Sequence, residues 1–300
     1  PKKAGCPGSG QEKRCAAEKA QVVLELRAQF PLATLLKVAT LSSSTFYYQR
    51  KALQSGDKNQ DLKARTRRVF ETHKGRYGYR RVTDAIRSQG LLVNHKPVQR
   101  LMLELGLKSC VRVKKYRSYR GECGRAAPNV LDRQFEAQRP NQKWATDVTE
   151  FRVAGQKLYL SPVLDLCTGE IVAYETAKRP HFELVTNMLH KAIARLGPDD
   201  RPLLHSDQGW HYRMPRYQRL LAQRAITQSM SRKGNCLDNA AMESFFGTLK
   251  AEFFHTSQFC SITELEAGLH RYIHYYNHER IKLKLKGLSP VQYRAQFGST

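Results

Sequence analysis

No stretch of this 300-residue chain reaches the roughly 18 apolar residues a membrane span needs, and its start carries no hydrophobic signal-peptide segment. Neither membrane insertion nor export is indicated, and the chain reads as cytoplasmic. Its seven cysteines, Cys6, Cys15, Cys110, Cys123, Cys167, Cys236 and Cys260, are scattered, odd in number and form no CxxC pair. That pattern excludes a disulfide framework and a cysteine-rich zinc site and leaves free thiols. No GxxxxGK[ST] phosphate loop exists, so nothing supports ATP-driven chemistry. The first residue is Pro1 rather than Met, which reads as a trimmed chain or the downstream part of a longer product.

Acidic residues are scarce as well: 26 Asp and Glu stand against 51 Lys and Arg, a net charge of +25. The excess is uneven. Residues 1–130 hold 28 basic and 9 acidic side chains, a net +19, and residues 131–300 hold 23 and 17, a net +6. Such an imbalance calls for a polyanion, and nucleic acid satisfies it through phosphate contacts and counterion release. A membrane surface fits less well, because no basic amphipathic helix with an aromatic face stands out. A ribosomal-type or merely soluble basic protein is the plain alternative. With 41% hydrophobic residues the chain can fold, and its length exceeds one core, so two or three domains are expected.

The basic front half is patterned for helices. Residues 12–29 carry amphipathic periodicity, and residues 31–53 read as a short helix, a turn and a Ser-capped second helix bearing Tyr47, Tyr48, Arg50 and Lys51. Residues 1–56 are therefore expected to form a helical, helix-turn-helix-like domain. A second such domain is expected at 57–110: within 77–108, Val82, Ala85 and Ile86 mark one buried face, Gly90 breaks the helix, Asn94 caps the next, and Val98, Leu101, Met102 and Leu105 mark its core side. Arg80, Arg81, Lys96, Gln99 and Arg100 suit phosphates and base edges, with 96, 99 and 100 pointing away from that core. A plain helical hairpin with solvated charges is the competing reading. Residues 111–142 read as a basic linker that tracks DNA through Lys114, Lys115 and Arg117.

From Trp144 the texture turns to strands. Residues 143–153, 156–166 and 170–177 are β-rich runs separated by turn signals, and predict an antiparallel meander. A helix over 182–196, a strand over 202–207, a helix over 213–224, a strand over 225–231 and a further helix follow. The order predicts an α/β core of ribonuclease-H-like type over 143–256, a mixed five-stranded sheet with helices, preceded by the all-α region. Residues 257–300 are expected to form a helical extension.

The stretch GNCLDNAAMESFFGTLKAEFF, residues 234–254, reads as a helix about to be buried, with Glu243 among Ala240, Ala241, Met242, Phe245, Phe246 and Leu249. A carboxylate in a core needs a partner or a metal. Asp147 lies in the first predicted strand and Asp207 ends the fourth, where open α/β sheets carry ligands. Helical geometry returns Lys250 to within about 20° of Glu243 and keeps Asn239 near that face, while Asp238 and Glu252 project toward solvent. Three carboxylates from two strands and a helix are suited to hold two divalent cations, Mg²⁺ or Mn²⁺, for in-line phosphoryl displacement. A rim Glu243 paired with an arginine is the alternative.

The motifs WATDVTEF, LHSDQGWHY, SMSRKGNCLDNAAMESFFGTLKAE and YIHYYNHERIKLKLKGLSPVQYR resemble the catalytic domain of bacterial insertion-sequence transposases related to retroviral integrases. The likeness runs from about residue 31 to 295 and is to the OrfB half of the IS-three family, typically made as an OrfA-OrfB fusion. The resemblance matches the family's acidic triad to Asp147, Asp207 and Glu243 and its following basic residue to Lys250. It implies a ribonuclease-H-like core, Mg²⁺ or Mn²⁺, cleavage of double-stranded DNA at terminal inverted repeats to free a 3′-OH, and attack by that 3′-OH on another phosphodiester. It also implies a homo-oligomer bridging two DNA ends. The run RIKLKLKGLSP departs from the His-containing run of many relatives.

Other residues leave alternatives open. His270, His274 and His278 recur every four positions as a DNA-facing or packing stripe, without the four ligands a zinc site wants. Trp210, Tyr212, Arg232 and Lys233 either stack on or neutralise a DNA strand, or pack. His205 and His211 flank Asp207 in positioning roles. Against the metal-dependent transposase stand a covalent tyrosine or serine recombinase and a non-catalytic DNA-binding regulator.

Overall fold

The computed structural model describes residues 16–54, 59–110, 127–232 and 236–297. Lys114, Lys115, Arg117 and Lys233 lie outside the described residues. The chain divides into two compact units, one up to Arg65 and one from Thr66 onward.

In the first unit, α1 (Ala16–Leu26), α2 (Leu32–Ala39) and α3 (Ser43–Gln54) close around Ala20, Val23, Leu36 and Phe46. Thr40 takes a left-handed conformation and ends α2, and the Ser42 hydroxyl accepts the Thr45 N–H at 3.2 Å to start α3. The Ser-capped helix read from the sequence is present.

In the second unit, α5 (Tyr79–Ser88) and α6 (His95–Glu104) follow α4 (Gln60–Thr72). Val82, Ala85, Ile86, Val98, Leu101 and Met102 are all buried, as their spacing demands. Gly90 sits at φ +89°, a conformation that suits glycine and turns the chain between the helices. Asn94 occupies the N-cap position with extended backbone, but its side chain makes no capping bond.

The sheet holds β1 (Lys143–Thr146), β2 (Thr149–Val153), β3 (Gln156–Asp165), β4 (Ile171–Ala177), β5 (Leu203–Ser206) and β6 (Thr227–Met230). The single strand expected over 143–153 is interrupted at Asp147 and Val148. Its register against β3 nevertheless runs straight through, from Thr146 opposite Val163 to Thr149 opposite Leu160. Counting β1 and β2 as one interrupted strand gives the expected five. The spatial order is β4, β3, β1, β5, β6, with β3 antiparallel to its neighbours and β1, β5 and β6 parallel.

Alternation sends Trp144, Val163 and Leu204 to one face, beneath α7 (Phe182–Ile193) and α8 (Pro215–Ala222). Ala145, Phe151, Leu158 and Leu160 face the other side, under α9 (Ala240–Leu249) and α10 (Ile262–His278). After α9 the helix widens into a π-helical turn, Lys250–Phe254. Residues 127–134, expected in a loose linker, run beside β6: Leu131 is buried, and the Ser229 hydroxyl accepts the N–H groups of Val130 and Leu131 at 3.0 Å each.

The C-terminal extension is bound to the sheet by polar side chains. Asn277 of α10 clasps Ile171 at the start of β4, accepting its N–H and donating to its carbonyl, both at 2.9 Å. Arg294 of α11 (Pro290–Ala295) pairs with the buried carboxylates of Asp165, at 3.2 Å, and Glu170. Cys110, Cys167 and Cys260 are free thiols, as expected. Among the described residues no helix is long and apolar enough to cross a membrane.

Two stability predictions follow from buried polar groups. Asn277→Ala removes both bonds to Ile171 and strands buried backbone groups, at a cost of about 2–4 kcal/mol in urea melts with unchanged slope. His205 on β5 is enclosed between the hydroxyls of Ser229, at 2.9 Å, and Ser231, at 3.1 Å, and burial lowers its pKa to about 4. The unfolded chain binds this proton near pH 6.5 and the folded chain only near pH 4, so stability falls as pH drops through that window. His205→Gln flattens the loss when melts are compared at pH 7 and pH 5.

Candidate active site

The centre of the sheet places the first two carboxylates. β1 pairs in parallel with β5 so that Lys143, Trp144 and Ala145 oppose Leu203, Leu204 and His205, each partner 60 positions on. Asp147 directly follows β1 and Asp207 directly follows β5, so both stand at the carboxyl ends of adjacent parallel strands, near enough for the charge of Asp207 to act on Asp147. Each Asp also accepts an N–H just beyond itself: Asp147 from Val148 at 2.7 Å, Asp207 from Gly209 at 2.9 Å. A Cβ at Gly209 would stand 2.9 Å from the Asp207 carboxylate, so a larger residue there would displace that carboxylate.

Both carboxyls are held above the ordinary aspartate range. For Asp147 burial is the largest cause, then the charge of Asp207 and that of Glu243, against the Val148 bond and the Lys250 ammonium. For Asp207 burial again leads, opposed by the Gly209 N–H and by His211. Two half-buried acids, each raised by burial and one raised further by the other's charge, mark a place short of positive charge.

Glu243 differs from its expectation. Helix α9 turns Met242, Phe245, Phe246 and Leu249 into the core and leaves Glu243 exposed, though its charge reaches Asp147. Among the described residues no three His, Cys, Asp or Glu side chains converge to coordinating distance. The acids expected to face solvent are the buried ones. Asp238 is enclosed by Arg232, Arg133 and Asn129, each at 3.0 Å, and Glu252 by Arg280, with two bonds of 2.7 Å. Hydrogen bonding and charge hold Asp238 below the usual carboxylate range. Burial raises Glu252, but Arg280, Arg81 and Tyr272 outweigh it and leave its pKa lowered. Helical angles fix directions around an axis and do not show which directions the rest of the chain covers. Arg133 and Arg280, which cover them together with the nearby Arg232, are far away in sequence.

The expected DNA contacts separate in the same way. Arg80, Lys96, Gln99 and Arg100 are exposed, the last three opposite the buried side of α6. Arg81, expected with them, is bound to Glu252 at 3.3 Å. Asn239, expected on the open face beside Glu243, is buried, its amide donating weakly to the Thr146 carbonyl at 3.4 Å and its Oδ1 lacking a partner. Arg232 is half-exposed and engaged with Asp238 and Asp132. Lys250 is half-buried, its ammonium 5.6 Å from the Phe151 ring and within the fields of Asp147 and Glu150. Trp210 is exposed and stacks on His211 at 3.8 Å, whereas Tyr212 is wholly buried, with no hydrogen bond to its hydroxyl. His270, His274 and His278 line a cavity of about 400 Å³ beside β4, away from the carboxylates.

The Integrase core domain family matches residues 137–236 and again residues 243–297, and the HTH-like domain family matches 57–116. InsK of Escherichia coli K12, named as a transposase of insertion sequence element IS150, is 55% identical over 92% of this chain and 98% of its own length. InsF of the same organism, the transposase of IS3A, is 36% identical over 75% of this chain and 79% of its own. The catalytic core of HTLV-2 integrase, solved with magnesium, overlaps 53% of this chain and 99% of that one at 19% identity and a TM-score of 0.44. With integrase-core matches spread along the folded sheet and its helices, and a relative more than half identical over almost its full length, the chain belongs to the insertion-sequence transposases of the IS-three family, OrfB type, polynucleotidyl transferases of the DDE class.

Proposed function

We propose that this transposase binds the terminal inverted repeats of its element, cuts there to free a 3′-OH, and joins that 3′-OH to a second phosphodiester. In the first step water adds to phosphorus and the bond to O3′ breaks. In the second the freed 3′-OH takes the place of water. The observation that carries the reading is the pair Asp147 and Asp207, at the carboxyl ends of adjacent parallel strands and each raised by burial.

An all-oxygen donor set in a recess short of positive charge fits hard divalent cations, Mg²⁺ or Mn²⁺. Asp147 and Asp207, with Glu243 from α9, would hold two of them. Bound there, such ions supply charge stabilisation to the attacking and leaving oxygens. The chain's own groups do the rest. Val148 and Gly209 orient the two strand carboxylates through their N–H groups. Lys250 offers a cation to a phosphate oxygen beside Asp147, and Trp210 offers an exposed ring on which a base of the cut strand stacks.

Recognition of the end falls to α5 and α6, through Arg80, Lys96, Gln99 and Arg100, with the basic residues Lys114, Lys115, Arg117 and Lys233 adding to the positive field and Arg232 contributing its exposed half. Double-stranded DNA is then the partner at both element ends and target. A homo-oligomer bridging the ends, an OrfA partner or fusion, and a cytoplasmic, nucleoid-associated location complete the reading.

Purified protein incubated with element ends is expected to cut in Mg²⁺ and to stop in EDTA. Asp147→Asn or Glu243→Gln lowers cleavage on the order of 10³-fold or more while end binding in a gel shift is kept. A trapped covalent protein-DNA adduct, or cutting unchanged by neutralising the acids, would sink the proposal. Arg100→Ala and Lys96→Ala each weaken end binding and lower the salt slope by about 1, read from binding at several salt concentrations.

A further inference from the structure

Glu252 is a buried carboxylate, and none of the side chains that hold it belongs to the proposed site. It stands on the π-helical turn that continues α9, the helix of Glu243. Arg280, just past the end of α10, grips it through two bonds of 2.7 Å, and the Tyr272 hydroxyl donates at 3.1 Å. Two more contacts come from the HTH-like region. Arg81 of α5 reaches the carboxylate at 3.3 Å, and Arg76 donates to the Glu252 carbonyl at 3.1 Å, its guanidinium 4.6 Å from the Tyr275 ring centre.

Two further side chains extend the seam. His73 stacks on Tyr77 at 3.8 Å and bonds the Tyr275 hydroxyl at 3.3 Å. Tyr77 is fully buried; its hydroxyl donates to the Glu279 carbonyl at 3.3 Å and accepts the Ile281 N–H at 3.0 Å. Thus residues 73–81 of the HTH-like region bond to the far end of the Glu243 helix and to the end of α10.

Stability alone is a poor reason for such a seam. Well-packed apolar residues hold two surfaces together at least as well as a buried ion pair, which must first be stripped of water. What a hydrogen-bonded carboxylate adds is a single allowed register, because a slip of one residue leaves a buried charge unpaired. We infer that the Glu252 seam, with Arg76 and Arg81, fixes the reach from the DNA-reading face of α6 to the carboxylates and so selects which phosphodiester is cut. Glu252, Arg76 and Arg81 are on this account positioning residues that touch no DNA. The inference rests on the reading above, in which α6 binds the end and the carboxylates cut it.

The test uses the full chain carrying Arg76→Met and Arg81→Met together, which leaves the Glu252–Arg280 pair intact, with Glu252→Gln as a second variant. On end-labelled element DNA with Mg²⁺, the double variant is expected to bind within threefold of wild type. Its single cut spreads over neighbouring phosphodiesters, and the rate at the wild-type position falls at least tenfold. In the DNA-free protein, amide exchange over residues 77–81 and 279–281 speeds at least tenfold. One cut at the wild-type position and rate overturns the inference. So does a tenfold loss of binding with the cut position unchanged, since the arginines would then be touching DNA. Unchanged exchange overturns it whether or not the wild-type chain cuts, whereas a wild-type chain that binds ends but cuts nothing sinks the proposed reaction instead.

Discussion

Parallel pairing of β1 with β5 is the constraint on which the rest depends. Parallel neighbours need a crossover, and here the chain must lay down β3, β4 and α7 before β5 can return beside β1. That long route brings Asp147 and Asp207, separated by 60 positions, to the same end of adjacent strands. The two acids come close enough there for the charge of Asp207 to raise the Asp147 carboxyl. The ladder gap at Asp147 and Val148 belongs to the same design. It frees the Val148 N–H from the sheet, and that N–H is what the Asp147 carboxylate accepts.

Every acid that is buried among the described residues is paired. Asp238, Glu252, Asp165 and Glu170 are all buried, and each has at least one arginine: 232 and 133, 280 and 81, 294, and 195 with 294. Pairing of this kind roughly offsets desolvation and fixes geometry. Asp147 and Asp207 break the rule. Among the described residues no arginine or lysine bridges to either, and only Lys250 and His211 bring them positive charge from nearby. Among the described residues an arginine reaches every buried acid, and none reaches this half-buried pair.

Much of this is legible in the chain. Val82, Ala85 and Ile86, then Val98, Leu101 and Met102, define two helical faces by spacing alone, and those faces are buried. The alternation through Trp144 and Ala145 gives a strand covered on both sides, and Asp207 at a strand end follows from the shortness of LLHS. Glu243 was harder for a specific reason. Met242, Phe245 and Phe246 are its neighbours along the chain, but on a helix it stands about 100° away from Met242 and so outside their stripe. Asp238 and Glu252 project toward solvent on the same wheel, and nothing local signals that Arg133 and Arg280, 105 and 28 positions away, arrive to cover them. The π turn after Leu249 adds to this by changing the angular step where Lys250 and Glu252 are placed.

Exposure of Glu243 follows from the same accounting, and it assigns the helix ends a task. The two aspartates directly follow strands of the sheet, and each carboxylate is tied to a backbone N–H beside it. The glutamate is held only by its helix, so its position depends on how α9 is anchored at each end. At the start, the Asn239 amide meets the Thr146 carbonyl, one residue before Asp147. At the other end, Glu252 is bound to Arg280 and through Arg81 to the HTH-like region. Nine residues of helix, about 13 Å, separate Glu243 from that second anchor, a lever short and stiff enough for a displacement at the seam to appear at the carboxylate. A displacement at the seam therefore bears, through covalent helix and hydrogen-bonded charge alone, on Glu243, an acid that no strand holds.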